Sequence, residues 1–329
     1  MRYLKLPATE LTVSCLGFGS SHLMGCGSKS DALHLLQTAL DGGITHFDTA
    51  RMYGYGAAEG AIGQFLKGRR SQVTITTKVG IAPPEQSFLV RKIRPALRRI
   101  ALLLPQARIA MRKRAHASVQ KGQFNIEFVR RSVETSLREL RTDYVDMLLL
   151  HEPETKDLLP ELLELLERLK QEGKTKYFGI ASSLEICSEA ARFAPGFCNI
   201  LQFPSRIWSN NAIRERQPND SGVITHSALR EKIGELRQIL EARPHLLEKW
   251  SRILEFDCSE PGAIPLLALK YACAINQSGV VLFSSSSPAN ILSNARFADD
   301  KRPDPIKLQQ FFMSIDTHQP QLALDSVPA

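Results

Sequence analysis

No Cys-x-x-Cys pair occurs in this chain, and its six cysteines (Cys15, Cys26, Cys187, Cys198, Cys258 and Cys273) are scattered. A structural zinc site needs clustered ligands, so this spacing argues against one, and no metal is expected. Scattered thiols in a chain of 329 residues predict reduced, mostly buried side chains in a cytosolic protein. No stretch reaches the roughly 18 uncharged apolar residues that a membrane span requires. The first residues, Met1-Arg-Tyr-Leu-Lys-Leu-Pro7, lack the apolar run of a secretory signal. A cytoplasmic protein without a membrane span is therefore expected. Short-period repeats and low-complexity tracts are missing too. No Gly-x-Gly-x-x-Gly opens a helix after a strand, which argues against a Rossmann-type phosphate loop.

Acid is missing from one long stretch. Between Gln86 and Ile126 there are ten Lys or Arg (Arg91, Lys92, Arg94, Arg98, Arg99, Arg108, Arg112, Lys113, Arg114, Lys121) and no Asp or Glu. Setting those ten aside takes the formal charge from +8 to −2, so the basicity belongs to one segment. With 43% hydrophobic residues the chain can fill one large core. Its length alone would allow two domains, but barrels of alternating strands and helices hold about 250 residues or more as one.

The order of elements favours such a barrel. A short hairpin and a first strand occupy the residues up to Ser20. A helix follows from Ser30, with Leu33, Leu36, Ala39 and Leu40 on one face and Gly42-Gly43 as its stop. Strands then end at Asp48 and Lys78, with a short helix from Ala58 to Leu66 between them. Asn125 is a fitting N-cap for a helix with Val129, Val133, Leu137 and Leu140 inward. A strand to His151, a leucine-rich helix from Leu158 to Glu172, and strands over 175–181, 199–203, 222–226 and 280–283 continue the alternation. Helices are expected at 184–193, 262–275 and 288–298. Eight strands, mostly separated by helices, predict one (β/α)8 barrel domain over 1–329, with a basic insert at 81–122 and a terminal helix and tail at 303–329.

Three of those strands end on chemistry-bearing side chains. Ile44-Thr-His-Phe-Asp48-Thr-Ala-Arg-Met-Tyr53-Gly runs an apolar strand into a loop. Val73-Thr-Ile-Thr-Thr-Lys78-Val-Gly80 ends near a lysine, and Tyr144-Val-Asp-Met-Leu-Leu-Leu-His151 ends on a histidine. Taken singly, each has an ordinary reading: a turn-capping aspartate, a rim tyrosine, a solvated lysine, a satisfied histidine. Together they match the way a (β/α)8 barrel gathers a site from separate strand ends at one face. The set resembles the Asp-Tyr-Lys-His tetrad of the aldo-keto reductases. The run Tyr53-Gly54-Tyr-Gly56-Ala-Ala-Glu59 is similar to that family's Tyr-Gly-x-Gly-x-Ser-Glu, departing at Ala58, and the resemblance extends from about Leu11 to Asn294.

The resemblance implies a TIM barrel and an NAD(P)-dependent oxidoreductase of the alcohol dehydrogenase type, acting on a small-molecule aldehyde, ketone or corresponding alcohol. Carbonyl reduction needs a proton delivered to oxygen, and a free phenol with a pKa of about 10 is a poor acid at neutral pH. An ammonium beside it favours the phenolate by charge attraction. Tyr53 is therefore expected as general acid or base, Lys78 as its activator, Asp48 as the counterion of Lys78, and His151 as a donor to the carbonyl.

For the cofactor, the resemblance implies NADP(H) ahead of NAD(H). Gly179-Ile-Ala-Ser182 resembles the family's Gly-Val-Ser-Asn, giving Ser182 and Ser183, with Asp48 and Gln202, as candidates to hold the carboxamide. His226 stands where a tyrosine usually stacks on the nicotinamide, followed by Ser227 and Leu229. Val281-Leu-Phe-Ser284-Ser285-Ser-Ser287-Pro288 resembles the segment around the adenosine phosphate. Asn294 is expected on the adenine, and Ser284 and Asn290 stand where cations are common.

The basic insert leaves after a strand end, with Val90, Ile93, Leu97, Ile100 and Leu104 at helical spacing. It reads as a solvated excursion, a lid for an anionic substrate, a contact with an acidic protein, or a membrane-surface helix. Phe88 is its only aromatic, so a stacking array for nucleic acid is missing. A second functional class stays open, a regulatory barrel that binds nicotinamide nucleotide and docks a protein. A metal-dependent hydrolase ranks last. Substrate identity, direction of reaction and oligomeric state are not legible in the sequence.

Overall fold

The computed structural model describes residues 1–83, 120–193, 198–205, 221–229, 232–299 and 303–315. The helical spacing from Val90 to Leu104 lies outside them, as does most of the long stretch from Ser205 to Gly222. The chain opens with a two-stranded antiparallel hairpin, β1 (Tyr3–Lys5) and β2 (Thr12–Ser14). Then come β3 (Leu16–Gly19), α1 (Lys29–Asp41), β4 (His46–Asp48), α2 (Ala57–Phe65), β5 (Thr74–Val79) and α3 (Ile126–Leu140). β6 (Val145–His151), α4 (Pro160–Gln171), β7 (Thr175–Ala181), α5 (Leu184–Phe193), β8 (Ile200–Pro204) and β9 (Gly222–His226) continue the order. It ends with α6 (Lys232–Glu241), α7 (Pro244–Leu254), α8 (Ala263–Ile275), β10 (Val280–Phe283), α9 (Pro288–Asp299) and α10 (Pro305–Ser314). Strands β3 to β10 pair in parallel and close on themselves, β10 against β3, so the fold is a (β/α)8 TIM barrel. Among the described residues no helix is long and apolar enough to cross a membrane.

Local chemistry explains the boundaries. Ser28 and Asp31 form a reciprocal capping box at the start of α1, satisfying two N–H groups that the helix itself cannot bond. Asn125 Oδ1 accepts from Phe128 N at 2.8 Å and starts α3, whose Val129, Val133, Leu137 and Leu140 are buried as the spacing predicts. α1 differs from expectation: its buried stripe is Ala32, Leu35, Leu36 and Ala39, while Leu33 and Leu40 are only half-buried at its flank. The helix lies between α2 and α9, and these neighbours, absent from any local window, select the stripe.

Two-residue alternation along the strands divides them into an inner and an outer surface. Phe18, Phe47, Ile75, Leu148, Leu150, Phe178, Ile180, Leu201, Phe203, Val281 and Phe283 join the core beneath the helices. Met147, Leu149, Ile200, Ile224, Val280 and Leu282 form a separate cluster with Leu6, Leu11 and Val13 of the hairpin segment. That second set is the barrel interior, stoppered at its amino-terminal end by the hairpin. Another core gathers Trp250, Leu254, Tyr271, Phe311 and Phe312 beneath α7, α8 and α10. Five of the six thiols are buried, Cys26 being half-exposed.

The interior series sets the glycine requirement of β7. A Cβ on Gly179 would lie 1.9 Å from Ile200 O, so β8 sits against bare backbone there. Gly179→Ala should lower the unfolding free energy by about 2–4 kcal/mol, as expected for overpacking a core. Gly234 in α6 has nothing within 4 Å of such an atom, and Gly234→Ala should stabilise by roughly 0.5–1 kcal/mol. Urea midpoints at unchanged slope would report both, and equal shifts would refute the distinction.

Candidate active site

The inner surface carries the candidate residues at its upper, carboxyl end. His46 and Asp48 on β4, Thr76 and Lys78 on β5, Leu149 and His151 on β6, Ala181 on β7, Gln202 on β8 and His226 on β9 share the inward parity. Neighbouring strands are staggered: Asp48 lies opposite Thr76, His151 opposite Ala181, Ala181 opposite Gln202, and Pro204 opposite His226. Side chains distant in sequence thereby converge at one mouth.

Tyr53 reaches this mouth through an irregular turn. Gly54, Tyr55 and Gly56 all have positive φ (57°, 61° and 85°), and a Cβ at Gly54 or Gly56 would run into Met24 or Arg51. The glycines of the Tyr-Gly-Tyr-Gly run are thus conformational requirements. Glu59, fully buried in the first turn of α2, accepts from Thr77 Oγ1 at 2.7 Å and lies 3.5 Å from Arg51. It ties the turn to the outer face of β5 beside Lys78, and burial raises its carboxyl above the ordinary range. Sequence reading quoted Glu59 only as part of a motif. A lone acid among the alanines and isoleucine of a short apolar helix was the available signal for this role.

At the centre, Lys78 Nζ donates to Asp48 Oδ1 at 2.6 Å and to Thr49 O at 2.9 Å. Gln202 Nε2 donates to the other Asp48 oxygen at 3.1 Å. Both charged side chains are buried, Lys78 at 2% and Asp48 at 3% exposure. The Lys78 ammonium also faces Tyr53, lying 5.2 Å from the centre of its ring. Burial opposes the ammonium charge, but Asp48 and then Tyr53 outweigh it, and the Lys78 pKa is raised. The His151 ring stands 6.2 Å from that of Tyr53 and nearly perpendicular, at 88°. Burial, followed by the charges of Lys78, His226 and Lys121, holds His151 well below its ordinary pKa, as a neutral imidazole. All four tetrad candidates meet.

The candidates for holding a cofactor divide into two groups. Ser182, Ser183, Gln202, His226, Ser227 and Leu229 follow one another around the ends of β7, β8 and β9, with Ser182 N donating to Gln202 O at 3.0 Å. Ser183 Oγ is engaged in capping α5 through Ile186 N, and His226 Nδ1 lies 2.8 Å from Ser227 Oγ. Gln202 Oε1 is buried without a hydrogen-bond partner among the described residues, as are the hydroxyls of Ser20 and Thr49 near the same mouth. An orphaned amide oxygen beside Asp48 fits the NH2 of a carboxamide. Ser20 and Thr49 were not singled out in the sequence, where nothing distinguishes them from ordinary strand-end hydroxyls. The second group, Ser284, Ser285, Asn290 and Asn294, lies after β10 and along α9. Ser284 Oγ donates to Gly19 O at 2.6 Å, so its hydrogen is already used. Asn290 is exposed and Asn294 buried. No cluster of three or more metal-ligating side chains occurs among the described residues.

Comparison with known proteins points to one family. The sequence model of the Aldo/keto reductase family matches residues 15–304. L-galactose dehydrogenase of Arabidopsis thaliana is 27% identical over 302 residues, covering 87% of this chain and 84% of that protein. The uncharacterized oxidoreductase YqkF of Bacillus subtilis is 29% identical over 186 residues, 55% of this chain, and the match spans only about half, 49%, of that relative. Among solved structures, the holo form of aldo-keto reductase AKR11C1 from Bacillus halodurans superposes with a TM-score of 0.70 over 96% of each chain at 22% identity, a likeness of fold.

The two inward histidines make stability depend on pH. Burial lowers His46 to about 4, and His151 is also depressed, so both rings are neutral in the folded protein at pH 7. The unfolded chain takes up protons near its ordinary value of about 6.5. Stability from these groups is therefore complete above that value and is lost as pH falls toward 4. The loss for His46 should be on the order of 3 kcal/mol. In urea titrations, His46→Gln should flatten the fall in stability between pH 6.5 and 4. A slope equal to wild type would contradict the assignment.

Proposed function

Because this chain belongs to the aldo/keto reductase family of oxidoreductases, we propose that it reduces an aldehyde or ketone, or oxidises the corresponding alcohol, with Tyr53 exchanging the proton. The observation that carries this reading is the buried Lys78 ammonium, which donates to the Asp48 carboxylate at 2.6 Å and lies 5.2 Å from the centre of the Tyr53 ring. Lys78 favours the phenolate form and so makes Tyr53 a stronger acid than free tyrosine. Asp48 keeps Lys78 charged and fixes its position. Neutral His151 has a ring N–H to donate to the carbonyl oxygen, polarising and orienting it.

A bound nicotinamide nucleotide would supply the hydride equivalent. Gln202, whose amide oxygen is orphaned, is the residue best placed to accept from its carboxamide, with Ser182 and Ser183 beside it and His226, Ser227 and Leu229 along the ring. NADP(H) is the proposed nucleotide, held at its adenosine end by Ser284, Ser285, Asn290 and Asn294. None of these is a cation, and Ser284 already donates to Gly19 O. Charge-assisted bonds are about twice as strong as neutral ones, so the preference over NAD(H) is proposed to be small. Asn290→Arg should strengthen NADPH binding several-fold with little change for NADH, measured by nicotinamide fluorescence. Equal effects on both nucleotides would place the 2′-phosphate elsewhere.

Tyr53→Phe removes the proton donor and almost no volume. It should retain nucleotide binding while turnover of an aldehyde falls about 10²–10⁴-fold, the usual worth of general acid catalysis. Turnover equal to wild type on the same aldehyde would remove Tyr53 from the proposed role.

A further inference from the structure

The chain does not leave the barrel freely after β5. Ala82 N donates to Gln120 O at 2.9 Å, an antiparallel bridge that joins the outgoing and returning limbs of the basic insert. Gln123 N donates to Gly80 O at 2.9 Å, and the Phe124 ring lies against Gly80 where a side chain would otherwise stand. The returning limb is thus fastened by backbone to the strand that carries Lys78. It presents the Lys121 ammonium to the carboxylate of Glu152, the residue immediately after His151. Glu152 is itself held in a left-handed conformation, φ 53°, with its N–H donating to Ala181 O at 2.7 Å.

The energetics of this ion pair decide what it is for. Lys121 is 64% exposed and Glu152 46%, and pairs as exposed as this add little to stability. The backbone bonds and the Phe124 packing already hold the limb, so the pair is a poor candidate for a structural latch. For the same reason Glu152 can be exchanged for another carboxylate at little cost. Through Glu152 the ammonium stands beside the strand end that carries His151. In sequence, the stretch between Gln86 and Ile126 carries ten Lys or Arg and no acid, and Lys121 is the one of them that lies among the described residues.

We propose that Lys121 is a specificity-determining residue that binds a carboxylate carried by the carbonyl substrate, with Glu152 as the resting counterion it releases. The proposal rests on the carbonyl-reducing reading above and adds to it a substrate class, aldehydes or ketones bearing a remote carboxylate. A structural latch would respond alike to loss of either partner. A carboxylate site responds with opposite signs, because Lys121 attracts the substrate anion while Glu152 competes with it.

The test compares 4-carboxybenzaldehyde with benzaldehyde in wild type, Lys121→Gln and Glu152→Gln. Binding to the nucleotide-loaded protein is read by calorimetry, and turnover is read separately. The ratio of affinities, carboxylated over neutral, should fall about tenfold in Lys121→Gln, the order expected for losing one charge-assisted bond. It should rise severalfold in Glu152→Gln. In wild type the ratio should also fall between 50 and 500 mM salt. Ratios that stay at the wild-type value, or that move in the same direction in both variants, overturn the proposal. Absence of turnover with both aldehydes, alongside ratios that shift as expected, would reject the reductase reading and leave the carboxylate site standing.

Discussion

Everything at the barrel mouth depends on a charge that the interior has no intrinsic reason to hold. The Lys78 ammonium lies in a barrel interior whose apolar residues are mainly leucine, isoleucine, valine and methionine, and taking such an ion out of water costs several kcal/mol even after relaxation. The cost is tolerable because its hydrogen bonds are directed, one to Asp48 at 2.6 Å and one to the Thr49 carbonyl at 2.9 Å. Asp48 is anchored in turn by Gln202 from the opposite side of the barrel. Replacing such a pair with apolar residues is often neutral or stabilising, so stability does not account for its presence. On the reading proposed here the compensation is chemical, a phenol made acidic enough to exchange a proton near neutral pH.

The geometry of closed parallel sheets turns that local arrangement into a site. Alternation sends every second side chain inward, and the stagger between strands raises successive inward residues around the mouth. Below this level Met147, Leu149, Ile200 and Ile224 fill the interior, and the hairpin seals it from the other end. The charged groups are thereby gathered in the upper layer, where donors and acceptors from five strands meet, while neutral His46 lies below them against Thr74 and Thr76. Outside the sheet, Glu59 bonds Thr77 and lies beside Arg51, so the turn bearing Tyr53 is braced from behind as well.

The rim is where this chain departs most from a minimal barrel. A backbone bridge fixes the base of the basic insert directly above β5, and Lys121 faces the strand end of His151. Charge at the rim acts on the neutral imidazole below it, which makes electrostatics at the mouth part of the site's chemistry. In the proposed nucleotide site the adenosine end would be held by serines and asparagines instead of cations, a weaker design for a doubly charged phosphate.

The succession of strands and helices was legible in the sequence, because hydrophobic periodicity, the Asn125 cap and the glycine stops are local signals, whereas the start of α1 at the Ser28 cap came from the structure. The sequence also nominated the candidates for chemistry, since Asp48, Lys78 and His151 sit at or near recognisable strand ends and Tyr53 just beyond one, within a family pattern. Tertiary structure decided what no window of sequence contains. The buried stripe of α1 shifted from Leu33 and Leu40 to Ala32 and Leu35 because α2 and α9 choose the face. Ser284 lost its donor to Gly19, 265 positions away in the chain. Gln202 met Asp48 across 154 positions, and Lys121 met Glu152 across 31. These contacts depend on barrel closure and strand register, which are properties of all eight strands together, and so they appear only when the sheet is complete.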